Sequence, residues 1–153
     1  MALKTDRHEF LTDISFFMNE VAERGGVAVI STLGSGGAMD QSQALVTYAA
    51  SQSGKLPVGI LLNDMVNIDQ TRQHINWHKD EIQIGGKVTI LKAGYVVTNR
   101  IVPGLTPAAG EKAYLAESGY LRNNQTNEAN NPTIGVFLSR KDEDGYAKVE
   151  LRL

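Results

Sequence analysis

The chain contains no cysteine, which excludes disulfides, thiolate metal ligands and cysteine nucleophiles. This absence fits a protein made in a reducing cytosol, although a secreted protein can lack cysteine as well. The chain also lacks any run that approaches the roughly 18 apolar residues of a membrane-spanning helix. Its first nine residues are polar and contain no apolar signal core. We therefore expect no membrane partner and no export by the secretory route.

An excess of basic charge is missing too. Lys and Arg number 15 against 17 Asp and Glu, which gives a formal net charge of −2. A protein that binds the nucleic-acid backbone normally carries a basic face, so we expect no nucleic-acid partner. What the chain does have is 153 residues, of which 42% are hydrophobic. That is enough for one domain with a core of its own.

The clearest helical pattern in the chain covers residues 6–24. Apolar residues recur there at steps of three and four: Phe10, Ile14, Phe17, Met18 and Val21. Thr5 or Asp6 would cap the helix at its start, and the glycine pair at 25–26 would end it. The spacing predicts an amphipathic helix whose apolar stripe packs on the core.

An extended N-terminal arm is the other interpretation of this segment, because Leu11 and Phe16 widen the apolar side beyond one helix face. We divide the chain into an N-terminal helix or arm with the first strand, residues 1–33, and a β-rich body, residues 34–153. The two parts together form one domain.

The rest of the chain predicts short β-strands separated by turns. Apolar, β-prone runs occupy residues 27–33, 44–49, 57–62, 87–91, 95–97, 113–115, 133–139 and 146–153. We expect hairpin turns at Ala93-Gly94 and at Ser118-Gly119. In the segment from Asp142 to Gly145 we expect a turn rather than a calcium loop, because the later ligands of such a loop are missing. The predicted fold class is mainly β: a compact antiparallel barrel or a jelly-roll-like sandwich, with an N-terminal helix or arm.

Reactive groups in a converging arrangement are scarce. His74 and His78 stand four residues apart, a spacing that can bind zinc when both lie on one helix turn. The hydrolytic zinc signature requires Glu directly after the first His, but Ile75 stands there. Asp80 and Glu81 are nearby, yet no third ligand is evident. Surface histidines in a polar connection are the favoured interpretation, so we expect no metal, no cofactor and no catalytic residue.

Four segments of the body resemble tailed-phage capsid decoration proteins, also called cement or head-stabilising proteins. The resemblance lies in the order of a glycine-containing strand, a long Gly-flanked strand, an Ala-Gly-x-x-Ala-Tyr-Leu hairpin and a closing hairpin. These segments are residues 57–62, 86–96, 109–121 and 134–151. They cover roughly the C-terminal two-thirds of the chain. Each motif alone has low specificity, and their order together carries the resemblance.

The resemblance implies a small β-barrel or jelly-roll body that binds the outer surface of an icosahedral phage head. Such a protein is made in the host cytoplasm and ends up on the virion, with the major capsid protein as its partner. It stabilises the shell by bridging capsomers against the pressure of packaged DNA. Members of the family often form trimers near local three-fold axes, while others bind as monomers or dimers; we expect self-association and favour a trimer. The family has no catalytic residues to carry over.

Exposed-looking aromatic residues outside the strand runs suggest where the contacts lie. We expect Phe10, Phe16, Phe17 and Trp77 to contact the capsid or a neighbouring subunit. Two other functions remain open at this point. One is a β-rich virion module that binds a receptor or a glycan, and the other is a metal-dependent enzyme that uses His74 and His78.

Overall fold

The computed structural model describes residues 2–31, 44–62, 81–82, 84–125 and 131–153. Within this part of the chain lie twelve β-strands and a 3-10 turn at Glu117–Gly119. The strands are β1 (Leu3–Asp13), β2 (Phe17–Met18), β3 (Ala22–Glu23), β4 (Val27–Ile30), β5 (Leu45–Thr47), β6 (Pro57–Leu62), β7 (Glu81–Ile82), β8 (Thr89–Thr98), β9 (Lys112–Leu115), β10 (Leu121–Arg122), β11 (Thr133–Phe137) and β12 (Ala147–Arg152). The predicted mainly β fold class is confirmed.

One large sheet contains ten of these strands. Nine follow the order β10-β9-β11-β12-β8-β6-β4-β5-β2, and β1 joins at β8; β3 and β7 form a separate pair. All of these pairings are antiparallel except that of β2 with β5. The strand β8 is central, because it pairs with β1, β12 and β6.

A parallel bridge between Ile101 and Leu121 closes part of this sheet into a ring. The N–H of Val102 donates to the carbonyl of Leu121 at 2.9 Å, and the N–H of Leu121 donates to the carbonyl of Arg100 at 2.8 Å. The segment that follows β8 therefore returns to β10, and the path from β8 through β12, β11 and β9 to β10 closes on itself. Closure leaves these strands without a free edge.

Two hydrophobic clusters lie on opposite sides of β6. Its Ile60 and Leu62 belong to the larger cluster, while Val58 and Leu61 belong to the smaller one. Ile60, Leu61 and Leu62 alternate between the two clusters, whereas Val58 lies on the side of Leu61, next to a register shift in the pairing of β6 with β4. Burial on both sides explains why β6 is a continuous apolar run. The strand β12 is buried on one side only, and it alternates buried Ala147, Val149 and Leu151 with partly exposed Lys148 and Glu150.

The predicted helix at residues 6–24 is wrong. Residues 6–13 belong to the long strand β1, and β2 and β3 occupy part of the remainder. Strand β1 pairs with β8 from Leu3 opposite Thr98 to Asp13 opposite Ile90. The supposed core stripe fails as well, since Phe10, Ile14 and Val21 are exposed. Local apolar spacing favours a helix. The edge of β8, some 80 residues away in sequence, competes for the same backbone hydrogen bonds. Tertiary pairing therefore overrides local propensity.

The turn predicted at Ala93-Gly94 is also wrong, because β8 runs through both residues without reversing. A Cβ built on Gly94 would lie 2.0 Å from the carbonyl oxygen of His8. The glycine thus marks a close approach of β1 to β8 inside a strand and not a turn. The reversal at Ser118-Gly119 is confirmed, since the 3-10 turn there joins β9 to β10.

The C-terminal hairpin follows the prediction. Strands β11 and β12 pair with Val136 opposite Glu150. In the connection, the N–H of Gly145 donates to the carbonyl of Asp142 at 3.1 Å, and the Asp142 carboxylate accepts the N–H of Tyr146 at 2.8 Å. This is the turn expected for the segment. Within the described ranges, no helix has the length and apolar character needed to cross a membrane.

Candidate functional site

The strand β1 carries the most exposed large apolar side chain of the described residues, that of Phe10. Phe10 is 82% exposed and Leu11 54%, and Ile14 just after the strand is 60% exposed. We call these three residues the β1 ridge. Exposed large apolar groups are candidates for contact with another molecule, and a contiguous patch of them is typical of a binding surface.

The two ends of β1 hold the strand against the body. At the start, Leu3 is buried in the larger core cluster, and the carbonyl of Ala2 accepts the N–H of Asn99 at 3.0 Å. At the end, the Asp13 carboxylate lies 3.0 Å from the ammonium group of Lys92. The ridge is therefore presented on an anchored element, and β8 is the only strand paired with β1 in the part of the chain that the structure describes.

The other predicted contact residues are placed differently. Phe16 packs against the smaller core cluster, with the Lys92 ammonium 5.6 Å from its ring centroid. Phe17 is partly buried and forms a bridge with Lys87. Trp77 lies outside the described residues. The structure thus separates an exposed Phe10 from Phe16, which packs against the core, and from Phe17, which is partly buried.

The Asp13 carboxylate is stabilised in its charged form. The Ser15 hydroxyl donates to it at 2.5 Å and the Ser15 N–H at 2.8 Å. These hydrogen bonds, led by that of the hydroxyl and supported by the nearby Lys92 ammonium, hold the pKa of Asp13 below its ordinary value. The carboxylate therefore stabilises the folded chain above the unfolded pKa, and that contribution is lost as the pH falls through the lowered, folded pKa.

We expect the end of β1 to loosen at acid pH. Asp13 is partly exposed, so its contribution is less than about 1 kcal/mol. Carboxyl NMR titration should give an Asp13 pKa below that of an Asp in an unfolded peptide. The variant Asp13→Asn should unfold with a free energy that varies less with pH below about 4. An ordinary Asp13 pKa, or identical acid dependence in the two proteins, would contradict this role.

A second cluster of polar and aromatic groups surrounds Arg100. Its guanidinium lies 5.7 Å from the ring centroid of Tyr48 and 5.3 Å from that of Tyr120, and it contacts the Glu23 carboxylate at 3.2 Å. The Tyr48 hydroxyl donates to the carbonyl of Glu23 and accepts the N–H of Gly26 at 3.1 Å. Burial raises the pKa of that hydroxyl. Every polar atom named here has a partner inside the protein, so the cluster stabilises the fold.

Two shallow depressions flank Tyr120 beside the cluster around Arg100. One has a volume of about 330 Å³ and is lined by Val102, Ser118 and Arg122 among others. The other has a volume of about 350 Å³ and is lined by Arg100 and Asp144 among others. Both are open and are lined by acidic and basic side chains.

The described residues contain no group of three or more His, Asp or Glu side chains that could hold a metal ion. His74, His78 and Asp80 lie outside the described residues, and so does the side chain of Glu81. The zinc hypothesis is therefore neither supported nor contradicted by geometry. The remaining His of the sequence, His8, lies on β1 and stacks on Tyr95 with ring centroids 5.8 Å apart.

Sequence reasoning missed Leu11 and Ile14 as candidate contact residues, because the helix pattern assigned Ile14 to the core. No local signal in the sequence identifies them, because the exposure of this segment depends on the pairing of β1 with β8. No protein-family model matches the chain, and no curated protein matches it significantly.

Proposed function

We propose that this protein is a capsid decoration protein, which binds the outer surface of an icosahedral phage head and bridges neighbouring capsomers. A ligand that binds the assembled shell but not its free subunits stabilises the shell by mass action. Bridging adds avidity, because the second contact of a bound molecule is effectively intramolecular. A β-rich body closed by its own strands suits this role, since it resists deformation while it is held at two points.

The observation that carries the proposal is the β1 ridge, considered together with the resemblance of the body segments. Phe10 lies on an anchored strand and is almost fully exposed, so its burial against a partner requires no rearrangement of the core. Aromatic side chains in such positions commonly supply a large share of the binding energy at protein interfaces. We assign the ridge to the contact with the major capsid protein.

Phe10→Ser tests this assignment without disturbing the fold. We expect its dissociation constant for purified heads to rise at least about tenfold, because loss of a central aromatic anchor typically costs about 2 kcal/mol or more. Occupancy is measured by cryo-electron microscopy of heads incubated with graded protein concentrations. Deletion of residues 1–24 is unsuitable here, because it would remove Leu3 and Met18 from the two core clusters.

The matched control is Leu56→Ser, which replaces a side chain that is 67% exposed and lies outside β1. Its occupancy should equal that of the wild type. Equal occupancy of the Phe10 variant would remove the ridge from the contact surface. Bare heads at saturating wild-type protein would contradict decoration altogether. In that case a receptor- or glycan-binding role becomes the leading hypothesis, with the depressions beside Tyr120 as the place to test it.

A further inference from the structure

The strand β1 lacks some of the features by which soluble proteins usually protect a sheet edge, although it keeps register shifts and charged residues. It is 11 residues long and contains no proline, and Phe10 and Leu11 on it are exposed. Edge strands of this length offer a row of backbone donors and acceptors to another strand. Its charged residues are of both signs, so they do not simply repel a second strand.

Symmetry restricts how β1 could pair with β1 of a second copy. In an antiparallel pair related by a two-fold axis perpendicular to the sheet, directly opposed side chains lie on the same face. The axis therefore passes through a residue, and that residue lies opposite its own copy. The midpoint of Leu3–Asp13 is His8, so the register centred on His8 gives the longest overlap. In that register Arg7 of each copy lies opposite Glu9 of the other.

The next registers that place a charged residue on the axis are unfavourable. An axis through Arg7 places two guanidinium groups opposite each other, and an axis through Glu9 does the same with two carboxylates. Like charges directly opposed across strands destabilise the pair, while opposite charges stabilise it. The register of longest overlap is therefore also the one that the charges favour over its neighbours.

The local backbone agrees with this centre. Arg7, His8 and Glu9 pair with Val96, Tyr95 and Gly94 of β8 in uninterrupted register, whereas register shifts flank this stretch on both sides. The regular part of β1 is thus the part on which the axis would lie. The Arg7 and Glu9 side chains already meet within one chain at 2.7 Å, so a second copy would extend this ion pair into a group of four alternating charges.

We propose that β1 pairs with β1 of a second copy of this chain, antiparallel and centred on His8, to form a two-fold dimer with a continuous sheet. This differs from the trimer that the sequence analysis favours. It goes beyond the capsid-binding role and is tested on the purified protein without heads, so its outcome is independent of decoration.

Two charge reversals test the proposal by sedimentation equilibrium. Arg7→Glu alone would place a carboxylate opposite Glu9 at both symmetry-related positions. Glu9→Arg alone would place a guanidinium group opposite Arg7 at both positions. We expect each variant alone to show a dimer dissociation constant at least about tenfold above that of the wild type. An equimolar mixture should restore the dimer, because both carboxylates of the first variant would then face both guanidinium groups of the second.

The mixture also controls for the fold, since both variants lack the ion pair within the chain and the mixture does not restore it. Circular dichroism at a concentration below the dissociation constant checks that each variant is folded. A wild-type protein that stays monomeric at millimolar concentration would overturn the proposal. So would a mixture as dissociated as its components, or a trimer that persists in both variants.

Discussion

Replacing Gly135 by Ala should destabilise the protein by about 3 kcal/mol or more. Gly135 lies on β11 between β9 and β12, and a Cβ built there would be 1.8 Å from the carbonyl oxygen of Glu150. That atom belongs to the backbone of β12, so no side-chain rotation can relieve the overlap. The strands must separate, and the core cluster that includes Phe137 and Val149 must separate with them.

Thermal unfolding followed by circular dichroism measures this effect, with an expected fall in Tm of about 6–12 °C. The control is Gly54→Ala. Gly54 has a φ of +68° and no other atom within 4 Å of the added Cβ, so that substitution costs only the left-handed conformation, about 1 kcal/mol. If the two variants had the same Tm, the close approach of β11 to β12 would not be the reason that this position requires glycine.

Replacing Thr98 by Val should cost about 2 kcal/mol. Thr98 is fully buried, and its hydroxyl lies 2.8 Å from the carbonyl oxygen of Gly25 and 3.1 Å from that of Ala2. The same hydroxyl accepts the N–H of Arg100 at 3.1 Å. Valine has nearly the same shape, so the loss isolates the hydrogen bonds. Three segments that are distant in sequence meet at this one oxygen atom.

Urea unfolding gives the free energy directly, and the slope with urea concentration should be unchanged, because the surface exposed on unfolding is the same. The control is Thr133→Val, at an exposed position of β11, which should stay within about 0.5 kcal/mol of the wild type. A Thr98 variant as stable as this control would mean that the segments at Ala2, Gly25 and Arg100 are held by other contacts.

The sequence predicted well those strands whose own residues carry the pattern that decides their structure. The hairpin of β11 and β12 was visible because Val149 and Leu151 alternate with Lys148 and Glu150, and because Asp142 begins a turn between the two runs. The strand β6 was predicted correctly because its burial on both sides makes it a continuous apolar run. In each case the residues that decide the structure lie within the strand or its own turn.

The N-terminal strand could not be predicted by the same reasoning. The spacing of Phe10, Ile14 and Val21 is that of a helix, and only the open edge of β8 makes an extended strand the better solution. The same long-range pairing decides the exposure of Leu11, which local pattern cannot reveal. At Gly94 the sequence predicted a turn where the structure has a continuous strand. Glycine is found both in turns and where a neighbouring strand approaches closely, so its presence does not distinguish the two.

The pairing of β1 with β8 also determines the order in which the molecule can be completed. Leu3 lies opposite Thr98, and Ala2 lies within hydrogen-bonding distance of the same residue, 96 positions later in the chain. At the usual speed of translation, β1 therefore leaves the ribosome roughly 5–20 s before its partner strand exists. Closing so long a loop is a slow step. During synthesis β1 waits longer for its partner than any other strand of the described residues, and until then its Phe10 and Leu11 are open to chaperones and to the same strand of neighbouring nascent chains.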